Sequence, residues 1–189
     1  MAVAAACSSP ADHGATTTTP PTSGVASSTS TSAAAGGALA HCQPSDLAGT
    51  LLGSQGAAGT IEITIALRNA TAAPCALEGY PGMALVDAAG NQLPSRVVPG
   101  GSLSFDDFGK APVTIGPGQS AYFNVGYSDV PAGGESSCPT SASLWVTPPD
   151  DVTHLVVPAR LTVCDGGTLT TSPLFAQGSP ETQTTAPAA

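Results

Sequence analysis

The sequence predicts an all-β fold: a single antiparallel β-sandwich of immunoglobulin-like type, held by two disulfides and preceded by a disordered stalk. Three observations carry this expectation. From Ser45 onward apolar and polar residues alternate with a period of two, and no segment sustains a helical period. Glycine, proline, asparagine and aspartate break that pattern into seven or eight short runs. Four of the five cysteines (Cys42, Cys75, Cys138 and Cys164) lie inside the patterned region, and none is in a C-x-x-C spacing.

The N-terminal elements are compositional. The opening Met1-Ala-Val-Ala-Ala-Ala6-Cys7 places small residues directly before a cysteine, as a bacterial lipobox does. Cys7 is therefore the expected lipidation site and 1–7 the remnant of a lipoprotein signal. Ala4 stands where leucine is usual, and no basic or long apolar signal region precedes it, so the reading places the true start upstream or the signal already trimmed. Residues 8–40 are almost entirely Ser, Thr, Ala, Gly and Pro. Such a segment buries too little apolar surface to offset its chain entropy, which predicts a disordered spacer with an end-to-end distance of roughly 30 Å. The tail over 176–189 has the same character.

Between them, residues 41–175 form the domain. Thr60-Ile-Glu-Ile-Thr-Ile-Ala-Leu-Arg-Asn69 is the clearest strand, with Ile61, Ile63, Ile65 and Leu67 on one face. Thr60, Glu62, Thr64 and Arg68 lie on the other, which is expected to be wet. Asp46–Leu52 is expected as its hairpin partner across a glycine-bearing loop, Gly53–Gly59. Further strands are predicted at Met83–Asp87, Val113–Ile115, Ser120–Tyr127, Ala142–Thr147, His154–Val157 and Arg160–Val163. Turn chemistry links them at Tyr80-Pro-Gly82, Ala89-Gly-Asn91, Gly116-Pro-Gly118 and Pro148-Pro-Asp-Asp151. Cys138 and Cys164 are equidistant from residue 151, so a simple hairpin brings them face to face. Cys42 and Cys75 flank the first hairpin less symmetrically. Four cysteines allow three pairings, and this geometry favours Cys42–Cys75 with Cys138–Cys164.

A resemblance follows from particular residues. Cys42, Leu67-Arg-Asn69, Cys75-Ala-Leu-Glu-Gly-Tyr-Pro-Gly82, Leu85-Val-Asp87, Gly90 and Ile115-Gly-Pro-Gly-Gln-Ser-Ala121 resemble the DUF4232 family, over about Cys42 to Phe175. Cys138 and Cys164 fit that family's second cysteine pair. The resemblance implies an actinobacterial secreted or lipid-anchored protein, and it implies no activity.

Composition narrows the function. The net charge is −9 with four basic residues, Arg68, Arg96, Lys110 and Arg160, which argues against nucleic acid and against docking to anionic lipid. Membrane association is expected through the lipid anchor alone, because no apolar run of ~20 residues exists. Gly116-Pro-Gly118-Gln-Ser-Ala121 matches the dinucleotide-binding pattern G-x-G-x-x-A, but strand-like Tyr122–Tyr127 follows where that motif needs a helix. His41 and His154 are too few for a histidine-rich metal centre, and His154 reads as a strand-end residue. Asp106-Asp107 and Asp150-Asp151 lack the alternation of a calcium loop. Gly100-Gly-Ser102-Leu-Ser104 lacks the closing glycine of a nucleophile elbow. No cofactor, metal or catalytic residue is assigned.

What remains is a face. If Phe123 and Leu144 point into the core, Tyr122 and Trp145 point out and form a candidate binding patch able to stack on sugars or a protein; the competing reading makes Trp145 the core tryptophan. The expectation is a non-catalytic binding module at the cell envelope, with an envelope protein or polysaccharide as partner. A purely structural envelope protein is the alternative, and a secreted hydrolase working through carboxylates a third.

Overall fold

The fold was taken from a computed structural model, which describes residues 39–101 and 105–178. Cys7, most of the expected stalk, and Ser102 and Ser104 lie outside the described residues. Within them the chain is all-β, with two short 3₁₀ turns at Pro44–Asp46 and Asp165–Gly167. The strands are β1 (Leu47–Ala57), β2 (Thr60–Asn69), β3 (Cys75–Leu77), β4 (Gly82–Val86), β5 (Arg96–Pro99) and β6 (Val113–Ile115). After them come β7 (Ser120–Ser128), β8 (Ser143–Thr147), β9 (Leu155–Pro158), β10 (Thr168–Thr171) and β11 (Phe175–Ala176).

The larger sheet runs β1-β2-β7-β10-β5, with β11 added alongside β7; β4-β8-β9 form a three-stranded sheet, and β3 pairs with β6. Alternation decides which side chains face inward. Ile63, Ile65 and Leu67 on β2 lie across from Val125, Phe123 and Ala121 on β7. All six are buried in one core cluster with Met83, Leu85, Leu144, Val146, Leu155 and Val157 of the three-stranded sheet. At Gly49 an added Cβ would fall 2.4 Å from Val157, so a side chain there would collide with β9 as β1 passes it.

Several sequence expectations change. The predicted Gly53–Gly59 loop is mostly strand: β1 continues to Ala57, and only Ala58 and Gly59 turn the chain. Both have positive φ, 54° and 83°, which is type I′ geometry suited to the right-handed twist of a hairpin. A register shift between Leu51 and Gly53 leaves Leu52 56% exposed, a bulge the glycines accommodate. Cys42 and Cys75 are equidistant from this turn, so the asymmetry expected from sequence came from misplacing it. The expected strand Arg160–Val163 is absent. Ala159, Leu161 and Val163 do alternate inward, but the segment makes only a bridge, Thr140 to Thr162, plus scattered bonds to Pro139 and Ser141. Pro158 and Pro139 cannot donate to a ladder. The sheet is not purely antiparallel either, because β10 pairs with β5 in parallel. The polar face of β2 is only partly wet: Glu62 is 1% exposed, Thr60 and Thr64 are half-buried, and Arg68 is open to solvent. β2 lies between β1 and β7, whose side chains flank this face and cover part of it.

The structure joins Cys42 to Cys75 and Cys138 to Cys164, with Cα–Cα distances of 5.0 and 4.9 Å. These are the pairs the spacing favours. The first ties the start of the domain to β3, and the second ties the β7–β8 connection to the turn before β10.

Candidate functional site

Trp145 sits at the centre of β8, the middle strand of its sheet. Its strand neighbours Leu144 and Val146 are fully buried, so alternation turns Trp145 outward. It is half-buried there and is not the core tryptophan. Directly opposite stand Ala84 on β4 and Val156 on β9. The β8–β9 ladder ends at the pair Val146–Leu155, and alternation places the next residue, His154, on the same face as Trp145. The two rings stack, with centroids 4.2 Å apart and planes 15° from parallel. His154 itself is exposed, Val156 is 56% exposed and Val152, in the adjoining turn, 96%.

The turn that presents His154 is built by Asp151. Its Oδ1 accepts the N–H groups of Val152 at 2.7 Å and Thr153 at 2.9 Å, and the Thr153 hydroxyl at 2.9 Å. The Thr153 amide is the chief reason that this carboxyl is held below the ordinary range. Asp151 is thus a turn-forming group, as sequence reasoning had it.

Tyr122 does not join this face. It lies on β7 in the larger sheet, opposite Phe175 of β11, and the two rings stack with centroids 6.0 Å apart. Phe123 and Leu144 both point into the core, as the sequence reading supposed, but they do so from different sheets. Their outward neighbours Tyr122 and Trp145 therefore lie on separate outer faces. The candidate patch is not one surface; Trp145 has His154 as its partner instead. Period-two counting about the hairpin centre carries that signal, since 145 and 154 fall on one face of it.

Two other clusters hold chemistry-bearing groups. Glu78, Tyr80, Lys110, Pro149 and Asp150 line an open groove of about 440 Å³. The Tyr80 hydroxyl donates to Asp107 at 2.5 Å. That bond, together with burial, pushes the phenol up to about 12, so Tyr80 stays protonated and serves to tie the 105–110 loop to the β3–β4 link. Glu135, Cys138 and Cys164 bring one carboxylate oxygen and two sulfurs within 4.8 Å. The sulfurs are joined to each other, and Glu135 accepts backbone N–H groups from Asp165 and Gly166, each at 2.8 Å. These residues cross-link two loops and leave a metal little to bind.

The remaining motifs resolve as turns. Gln119 donates its N–H to the Gly116 carbonyl, Gly118 has φ +73°, and β7 starts at Ser120; no helix follows the glycines. Asp107 accepts the Gly109 amide. Sequence reasoning missed Asn69, whose buried side chain bridges the end of β2 to the loop before Cys75 and to β6.

No curated protein and no solved structure matches the chain. Residues 42–174 match the family model described as a domain of unknown function, DUF4232, and the chain belongs to that family.

Proposed function

We propose that this is an exported envelope lipoprotein, anchored through Cys7, whose 8–40 spacer holds an immunoglobulin-like β-sandwich away from the membrane as a non-catalytic binding module. The observation that carries the reading is the outward Trp145–His154 stack with exposed Val156 beside it. A tryptophan contributes most to stability when its large apolar area is buried; on an outer sheet face that area is free for a partner. Two disulfides fit an oxidising compartment, and the composition of 8–40 fits a spacer.

Two measurements test it. With an upstream export signal supplied, the full chain should incorporate a palmitate analogue and fractionate with membranes, and Cys7→Ser should do neither. The soluble Cys7→Ser chain should be retained on envelope material from the producing cell, and Trp145→Ala should release it. Retention indifferent to Trp145→Ala would assign binding to another surface.

A further inference from the structure

We propose that the Trp145–His154 face recognises uncharged carbohydrate, the pyranose rings of envelope polysaccharide; this rests on the binding-module reading and names its ligand class. Charge is the first argument. The chain carries a net −9, yet the side chains that β4, β8 and β9 turn outward around the indole include Ala84, Ser143, Trp145, Thr147 and Val156, with His154 at the end. None bears a fixed charge. A basic peptide would find its attraction at the acidic turns instead, and an anionic ligand would meet no fixed cation among these six side chains; the nearest outward basic residue along the chain, Arg160, lies four residues beyond Val156.

Shape is the second. A pyranose presents an apolar C–H face and a rim of hydroxyls, so it needs an aromatic plane with hydrogen-bonding groups at the same level. Ser143 and Thr147 are two residues either side of Trp145 on one strand, which places them on its face about 7 Å away in each direction. The stack on His154 holds the indole in one orientation before any ligand arrives, so less side-chain freedom is lost on binding. Directly across from the indole β4 offers Ala84, flanked along that side of the strand by Gly82 opposite Thr147 and by the buried Val86 opposite Ser143. At the ring's own register position nothing taller than a methyl rises from that strand.

Area is the third. Three strands about 4.8 Å apart and five residues of about 3.3 Å rise give a face on the order of 250 Å². A standard protein interface needs about 800 Å² from each partner. The face is too small for that and large enough for a few sugar rings.

The test uses the full-length Cys7→Ser chain with both disulfides formed, applied to envelope material that is untreated, periodate-oxidised or protease-digested. Periodate cleaves vicinal diols of sugar rings and leaves most protein surface in place. Retention should be lost after periodate; that result supports the carbohydrate whatever the protease does. Retention that survives periodate overturns the ligand class while leaving the module reading standing. Absence of retention on untreated envelope overturns the module reading itself. Trp145→Ala and Val156→Asp should each weaken retention at least about tenfold, with Leu52→Ser, on β1 of the other sheet, as the unaffected control. Val156 is 56% exposed, so its substitution probes the face even where Trp145→Ala disturbs folding. If periodate acts but neither variant does, the site is elsewhere and the assignment to this face is wrong.

Discussion

Asn69→Ala isolates one buried side chain that holds three segments together. Asn69 ends β2 and is fully buried. Its Nδ2 donates to the Ala73 carbonyl at 2.7 Å and to the Ile115 carbonyl at 3.1 Å; its Oδ1 accepts the Thr71 N–H and the Thr71 hydroxyl, each at 2.8 Å. Removal strands these groups unequally. The Thr71 hydroxyl also bonds the exposed Ala73 carbonyl, so both reach other partners or water. The Ile115 carbonyl, which still faces Cys75 in the β3–β6 ladder, loses its side-chain donor in a buried setting, and the Thr71 amide loses its acceptor in a half-buried one. A lost buried hydrogen bond costs about 1 kcal/mol and an orphaned amide about 1–3 kcal/mol, which sets the expected loss at about 2–4 kcal/mol. For a domain of this size that is a fall in melting temperature on the order of 10 °C. Asn69→Asp sharpens the test. It keeps the acceptor for Thr71 but aims a carboxylate at two carbonyl oxygens, so its folded-state pKa must rise. Its deficit against wild type should grow as pH rises through the unfolded carboxyl range near about 4, and at pH 7 should exceed that of Asn69→Ala. Urea unfolding of the oxidised chain at pH 4 and 7 reads both. An Asn69→Ala loss under about 0.5 kcal/mol, or an Asp variant no worse than Ala at pH 7, would refute the reasoning.

Four further outcomes follow from other sites. Ala58 occupies the left-handed region at φ 54°, so Ala58→Asn, which gives the Asn-Gly pair a type I′ turn favours, should raise thermal stability by about 0.5–1 kcal/mol in a melting curve. Removing the Cys42–Cys75 bridge, whose partners are 33 residues apart, by a double alanine substitution should cost about 3.5–4 kcal/mol by chain entropy. Cys138 is half-exposed while Cys42 and Cys75 are buried, so alkylation mapping under mild reductant should find Cys138–Cys164 opened first. Glu135 is held below the usual carboxylate range, chiefly by the Gly166 amide, and this stabilisation is present above the ordinary glutamate range and lost as pH falls through the folded-state value. Glu135→Gln should therefore melt below wild type at pH 7, with the gap closing toward pH 3.

What could be read from the chain was local. The bounds and the inward face of β2 match their expectation because four aliphatic residues alternate without interruption. The hairpin of β8 and β9 was legible because Pro148–Asp151 is a turn in any context. β1 was cut short because Gly53 and Gly56 read as loop, whereas on an edge strand they form a ladder with β2 and absorb a bulge. Arg160–Val163 shows the converse: alternating burial is present, but prolines deny it a ladder. β5 and β10 were missed because their pairing is parallel and spans 72 residues, Arg96 to Thr168, and no short window records it. The candidate site divides along the same line. That Trp145 faces outward follows from its own strand, and that Tyr122 cannot join it follows from which sheet each strand enters.

The separation of core from face on β8 has a consequence for mutagenesis. Leu144 and Val146 have no exposed surface and belong to the core cluster, so Leu144→Ala should cost about 2–5 kcal/mol through lost burial and the cavity left behind. Trp145, between them on the same strand, is outside that cluster. Its truncation removes a half-exposed ring and a stack with an exposed histidine, and no core layer has to close around the gap. The larger sheet turns Phe123, also with no exposed surface, and the partly buried Tyr127 toward the core, so the core's aromatic volume does not depend on the chain's single tryptophan. On the proposed function, stability and recognition are thus assigned to adjacent residues of opposite parity. A variant pair one position apart, Leu144→Ala and Trp145→Ala, should split the two properties: the first lowers the melting temperature, and the second lowers retention with a far smaller thermal effect. Equal thermal losses would mean that Trp145 works mainly as structure and that the outward stack has no separate role.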